Sequence, residues 1–143
     1  MAGLALTKIF TGMEKGPEAI NTNDQALSGA IPRDSGWKQV SLQNATGSVF
    51  LRRVGSFVFF KGTIKPTIDS SLANAHPLMN IPTGFLPESG YDFFAVFAGG
   101  TGEPMRLQNG NGKSLNMIYT PQYAKESDFQ AQIYWSTNDD FPA

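Results

Sequence analysis

The stretch GSVFLRRVGSFVFFKGTIKP (47–66) leaves few folds open. Two runs rich in β-branched and aromatic residues flank Val54–Gly55–Ser56, the pattern of an antiparallel hairpin. In the second run Val58, Phe60 and Ile64 share one face. Phe57 and Phe59 share the other with Lys61, Thr63 and Lys65. A half-solvated strand keeps its outer face polar. Two phenylalanines there predict cover on both sides, by a second sheet or by a neighbouring subunit.

The same period of two runs through the rest of the chain from Trp37. Trp37, Gln39 and Ser41 alternate with Lys38, Val40 and Leu42. Phe129, Ala131, Ile133 and Trp135 alternate with Gln130, Gln132 and Tyr134, a one-face-buried pattern that puts Trp135 in the core. YDFFAVFAGG (91–100) reads as a strand with aromatics on both faces. Met105–Leu107 and Ser114–Ile118 read as a hairpin around Asn109–Gly110–Asn111–Gly112, where Asn and Gly tolerate positive φ. Residues 68–90 read as a long loop with one short strand at Leu78–Ile81. About seven short strands of this kind make a small antiparallel β-sandwich or barrel.

The first thirty residues differ. LALTKIF (4–10) suits a short extended arm. Pro17 and Glu18 then suit the first turn of a helix, where a missing N–H and a negative charge are both tolerated. Met13, Ile20 and Leu27 recur seven apart, flanked by Ala19 and Ala26. So thin a stripe forms no core alone. It is either one strip of a bundle shared with sister chains or a helix packed on its own domain. In SGAIPRDSG (28–36), Gly29, Pro32 and Gly36 break the helix. The expected organisation is an attachment arm and helix over 1–30, a linker over 31–36 and a β head over 37–143.

Composition narrows the chemistry. The 143 residues contain no Cys and a single His, so disulfides, thiolate chemistry and His- or Cys-built metal sites are excluded. No cofactor or metal is expected. Charged residues make up 16% and the net charge is −1, which argues against nucleic acid or anionic lipid as partner. No apolar run approaches the ~20 residues of a membrane helix. MAGLALTKIF has no basic flank, so no export signal is expected and synthesis in a cytosol is.

No catalytic motif emerges. NGNGKS (109–114) ends like a phosphate-binding loop, but the required earlier glycine is Leu107. His76 has no G-x-S-x-G nucleophile elbow to serve. Asp92, Asp139, Asp140, Glu126 and Asp128 are read as solvated loop acids rather than as a hydrolytic pair. Asn44–Ala45–Thr46 is read as a turn. Flat rings beside polar groups are a better lead, because they suit saccharides. The candidate ligand residues outside the core pattern are His76, Tyr91, Asp92, Arg106, Tyr134, Asp139 and Asp140. The plain alternative for each is ordinary surface or a strand-end tether.

LTKIFTGMEKGPEAINTNDQAL resembles the N-terminal attachment segment of baseplate and tail-tip proteins from phages of Gram-positive bacteria. The residues that carry this are Phe10, Gly12, Met13, Gly16, Ile20 and Asn21. SGWKQV, VFLRRVGSFVFFKGTI, IPTGFLP and IYWS are similar to the small β heads of the same proteins. The resemblance implies a homotrimer in the virion. Residues 1–30 would dock on another baseplate or tail protein, and the heads would act as adhesins for a host cell-wall saccharide, without enzymatic activity. Met13, Ile20, Leu27, Phe57 and Phe59 would serve oligomerisation. Only SGAIPRDSG intervenes between helix and head, which leaves no room for the interlaced β neck many such proteins carry. The alternatives are a structural baseplate or neck component without a sugar site and, behind it, a polysaccharide-degrading enzyme that would need two close carboxylates in a cleft.

Overall fold

The computed structural model describes residues 6–8, 14–68, 75–88, 93–98, 104–110, 112–119 and 128–142. The chain divides into two compact units, Met1–Arg33 and Asp34–Ala143. Met13, Tyr91 and Asp92 lie outside the described residues.

The first unit is built on helix α1, Gly16–Ala30. It opens with Pro in the first turn and Glu18 beside it, as the local chemistry favours. Gly29 does not end it, contrary to expectation. An exposed glycine costs a helix only about 1 kcal/mol. The stop comes from Pro32, which disfavours helical backbone in the residue before it. Ile31 is accordingly extended, with ψ 122°. Gly16 and Ala19 are buried. The Asn23 amide holds the arm alongside by accepting from Thr7 N at 2.7 Å and donating to Thr7 O at 2.8 Å. Ile20 and Leu27 remain 49% and 44% exposed. The stripe is therefore not used up within its own unit.

The second unit is an all-antiparallel β structure. Its strands are β1 Lys38–Val40, β2 Ala45–Val54, β3 Phe57–Pro66, β4 His76–Asn80, β5 Phe93–Ala98, β6 Pro104–Gly110, β7 Ser114–Tyr119 and β8 Phe129–Ser136. They pair in the order β1-β2-β3-β8-β5-β6-β7-β4. β8 pairs with β3 from Phe57↔Ser136 to Ile64↔Phe129, but with β5 only at Phe97↔Gln130 and Ala98↔Phe129. That brief pairing is a corner between two four-stranded halves. The far ends meet again where Gln43 N donates to Leu78 O at 2.6 Å and Asn44 Nδ2 donates to Pro77 O at 2.9 Å. The result is a small sandwich.

One core fills it. Val49 and Leu51 of β2, Val58, Phe60 and Ile64 of β3, and Phe129 of β8 meet Leu78, Met79, Met105, Leu107, Leu115 and Met117 from the other half. Fully burying a side chain such as Phe60 contributes about 1.5–3 kcal/mol. The opposite face of β3 differs from one of the two expectations. Among the described residues no second sheet covers it, and Phe57 and Phe59 are 49% and 39% exposed. The second half packs, among those residues, on the Val58 side of β3.

In the long hairpin β2–β3, Gly62 stands opposite Val49. A Cβ there would overlap the Ser48 carbonyl oxygen and lie 2.7 Å from the Val49 Cα. Glycine inside a strand marks such close backbone approach. Ahead of β1, Asp34 bridges to Val54, and its carboxylate takes both Nε and Nη2 of Arg52. The Arg52 hydrogen bond, helped by the Gly36 N–H, lowers the Asp34 pKa from 3.8 to about 2.

Gly62→Ala is expected to cost the head 2 kcal/mol or more (~2 kcal/mol as a floor), read as a lower denaturant midpoint. For Asp34 the folded value lies below the unfolded one. Its contribution is therefore present above pH ~4 and is lost as pH falls through the folded value. An NMR carboxyl titration should give a midpoint of about 2 for Asp34. Arg52→Gln should move that midpoint up.

Candidate cleft on the head

β2 carries an unusual residue on its inward phase. Val49, Leu51 and Arg53 follow one another there, and Arg53 is only 6% exposed. A buried guanidinium must have its N–H groups satisfied. Nε donates to Gly55 O at 2.7 Å. Nη1 donates to Gly84 O at 2.7 Å and to Asp140 O at 2.9 Å, and Nη2 donates to Asp139 O at 2.8 Å. The Phe141 ring lies over the same group, with its centroid 5.0 Å from Cζ. One side chain thus ties together the β2–β3 turn, the loop after β4 and the segment after β8.

A second tie runs the other way. Oδ2 of Asp139 accepts from Gly84 N at 2.8 Å and from Leu86 N at 3.1 Å. Gly84 sits at φ +89°, and a Cβ there would be 2.9 Å from Pro142. Trp135 Nε1 donates to Phe85 O at 2.8 Å, which pins the same loop to the core. The loop 82–86 and the segment 139–142 are therefore fixed by backbone bonds to buried groups.

These two segments form one side of an open cleft of about 650 Å³. β1 and the turn after it form the other side, with Lys38, Gln39, Ser41 and Gln43. Asn80 and Asp140 add further polar groups, and Leu51, Phe85 and Phe141 supply apolar surface. That is the make-up of a small-ligand site, an apolar surface with a few convergent polar groups.

The ligand candidates divide among several places. Asp140 lines the cleft. Asp139 stands behind it, and the two amide bonds its carboxylate accepts make it a tether rather than a free ligand group. His76 is on β4 opposite Met117, and Arg106 is exposed on β6 opposite Ile118. Neither lines the cleft. Tyr134 is 66% exposed and lies on the outer face of β8, paired with Phe59. The two rings are 6.4 Å apart and tilted by 38°.

Tyr134, a ligand candidate, therefore shares a surface with Phe57 and Phe59, the oligomerisation candidates. Trp37 is on the same side, 41% exposed, with Lys61 Nζ 4.1 Å from its ring centroid. A smaller hollow of about 240 Å³ opens there among Trp37, Arg52, Val54 and Phe59. Among the described residues no three His, Asp or Glu side chains converge to hold a metal ion.

Sequence reasoning missed Gln39, Asn80 and Phe141 at the cleft, and Arg53 behind it. Arg53 did leave a signal, since a charged residue on a buried phase needs partners. The cleft polar groups left none, because exposed amides and hydroxyls look alike on any surface.

Arg53→Lys retains the charge but cannot reach all four carbonyls. It should lower head stability by about 3 kcal/mol in chemical denaturation. Asp139→Ala should cost about 2 kcal/mol and make the Gly84 and Leu86 amides exchange faster. Unchanged exchange at those amides would refute the tether. Set against known proteins, the chain matches no protein-family model and no curated protein.

Proposed function

We propose that this protein is a phage virion component of the tail tip or baseplate that binds a host cell-wall saccharide during adsorption, without catalysis. The observation that carries this reading is the cleft, where an acid and a ring, Asp140 and Phe141, stand with side-chain amides over an apolar floor. Pyranose rings offer C–H faces to such surfaces and hydroxyls to such amides. The braced loops support the reading too, since a preformed site loses less freedom on binding. Many copies on one particle convert modest affinity at each site into firm attachment.

Residues 1–30 are the attachment part in this reading, docked on another tail protein, and the assembly is a homotrimer. The exposed Ile20 and Leu27 support helix association, because residues seven apart return to one side of a helix, as the a positions of a bundle do. Assembly in the virion follows synthesis in the host cytoplasm. A second reading, a structural baseplate or neck component, draws on a different observation. Trp37, Phe57, Phe59 and Tyr134 are all exposed on one side of the head, and aromatic surface of that kind is enriched where proteins meet.

Labelled protein should bind walls of particular Gram-positive strains and lose that binding once their surface polysaccharide is stripped. A folded protein that binds no wall would favour the structural component. Light scattering should return three chain masses, and Ile20→Asp or Leu27→Asp should lower the assembly state while β circular dichroism stays. A monomer at micromolar concentration would exclude the trimer.

A further inference from the structure

We propose that the cleft between β1 and the loops 82–86 and 139–142 is selective for an uncharged oligosaccharide and excludes phosphate-bearing or acidic glycans. This rests on the saccharide-binding reading above and names the ligand class and the place.

Charge carries the first part of the argument. Among the described residues, Lys38 and Asp140 are the ionisable side chains that line the cleft, one of each sign. Arg53, behind the cleft, is turned inward and spends four of its five N–H groups on backbone carbonyls. It does not line the cleft. Recognition of phosphate or carboxylate draws on Arg or Lys in excess, often paired in a fork. Here a single Lys faces a carboxylate across the same cleft.

Hydrogen-bonding capacity carries the second part. Gln39, Gln43 and Asn80 are exposed around the cleft, with the Ser41 hydroxyl among them. Each side-chain amide both donates and accepts, as a sugar hydroxyl does. Neutral hydroxyl groups can satisfy such a rim, whereas an anion would use its donors and leave its carbonyl oxygens facing negative charge. The volume of about 650 Å³ falls in the ordinary range for small-ligand sites and admits a short oligosaccharide.

The test is an NMR titration of the full-length ¹⁵N-labelled protein with neutral oligomers of glucose, galactose, rhamnose and N-acetylglucosamine, and with poly(glycerol phosphate). The expected result is saturable shifts at Gln39, Ser41 and Asn80 with at least one neutral oligomer. The affinity should be unchanged between low and high salt, since no net charge is screened. Gln39→Ala and Asn80→Ala should each weaken it about tenfold, the effect of one lost hydrogen bond. Both positions are exposed, so the head should stay folded. Salt-sensitive binding of poly(glycerol phosphate) in the cleft would overturn the selectivity and leave the adhesin reading standing. So would neutral oligomers whose shifts map to Phe59 and Tyr134 instead. If neither probe class binds and the same protein also ignores whole cell walls, the adhesin reading falls and the inference with it. Binding to walls while every neutral oligomer fails would overturn only the inference.

Discussion

A buried arginine has to find acceptors, and in this head that need shapes the surface. The Arg53 guanidinium donates to carbonyls of the β2–β3 turn, the loop after β4 and the segment after β8. Those three pieces are distant in the chain and would otherwise be ordinary surface connections. With the Asp139 carboxylate returning two bonds to the middle piece, they become one wall. The positive charge is spread over carbonyl dipoles and the Phe141 ring rather than onto a bonded carboxylate. Such an arrangement leaves Asp140 turned to solvent at the rim while its backbone is held from behind.

The head carries two surfaces of different character. The cleft mixes amides, one Lys and one Asp over an apolar floor. The outer face of β3 and β8 is a group of exposed rings with Lys61 against Trp37. The first suits a small polar ligand. The second suits either a broad protein contact or further stacking. Phe59 and Tyr134 sit directly opposite in the strand register, so one face carries a residue that the family resemblance linked to oligomerisation and one that the residue pattern offered as a ligand group.

Local pattern made most of the architecture legible. The period-two runs from Trp37 onward correspond to strands, the turn at Val54–Gly55–Ser56 closes the β2–β3 hairpin, and Trp135 lies in the core. The helix start follows from Pro17 and Glu18, while its end needed the rule for residues before proline rather than the weaker effect of Gly29. Phe57 and Phe59 on the outer face of β3 signal cover of some kind. Whether a second sheet of the same chain covers them depends on where the sheet turns its corner, which no local pattern records.

The cleft shows the boundary most clearly. Alternation marks Arg53 as an inward charge, because side-chain phase along a strand is a local property. Its partners Gly84 and Asp139 lie 31 and 86 residues away. Only the folded chain brings them together. The same holds for Gln39, Asn80 and Phe141, three unremarkable residues until three segments converge on one volume. Strand phase, turn chemistry and helix termini are short-range effects and can be read along the chain. A binding surface is a meeting of segments, and strand order and corner placement decide which ones meet.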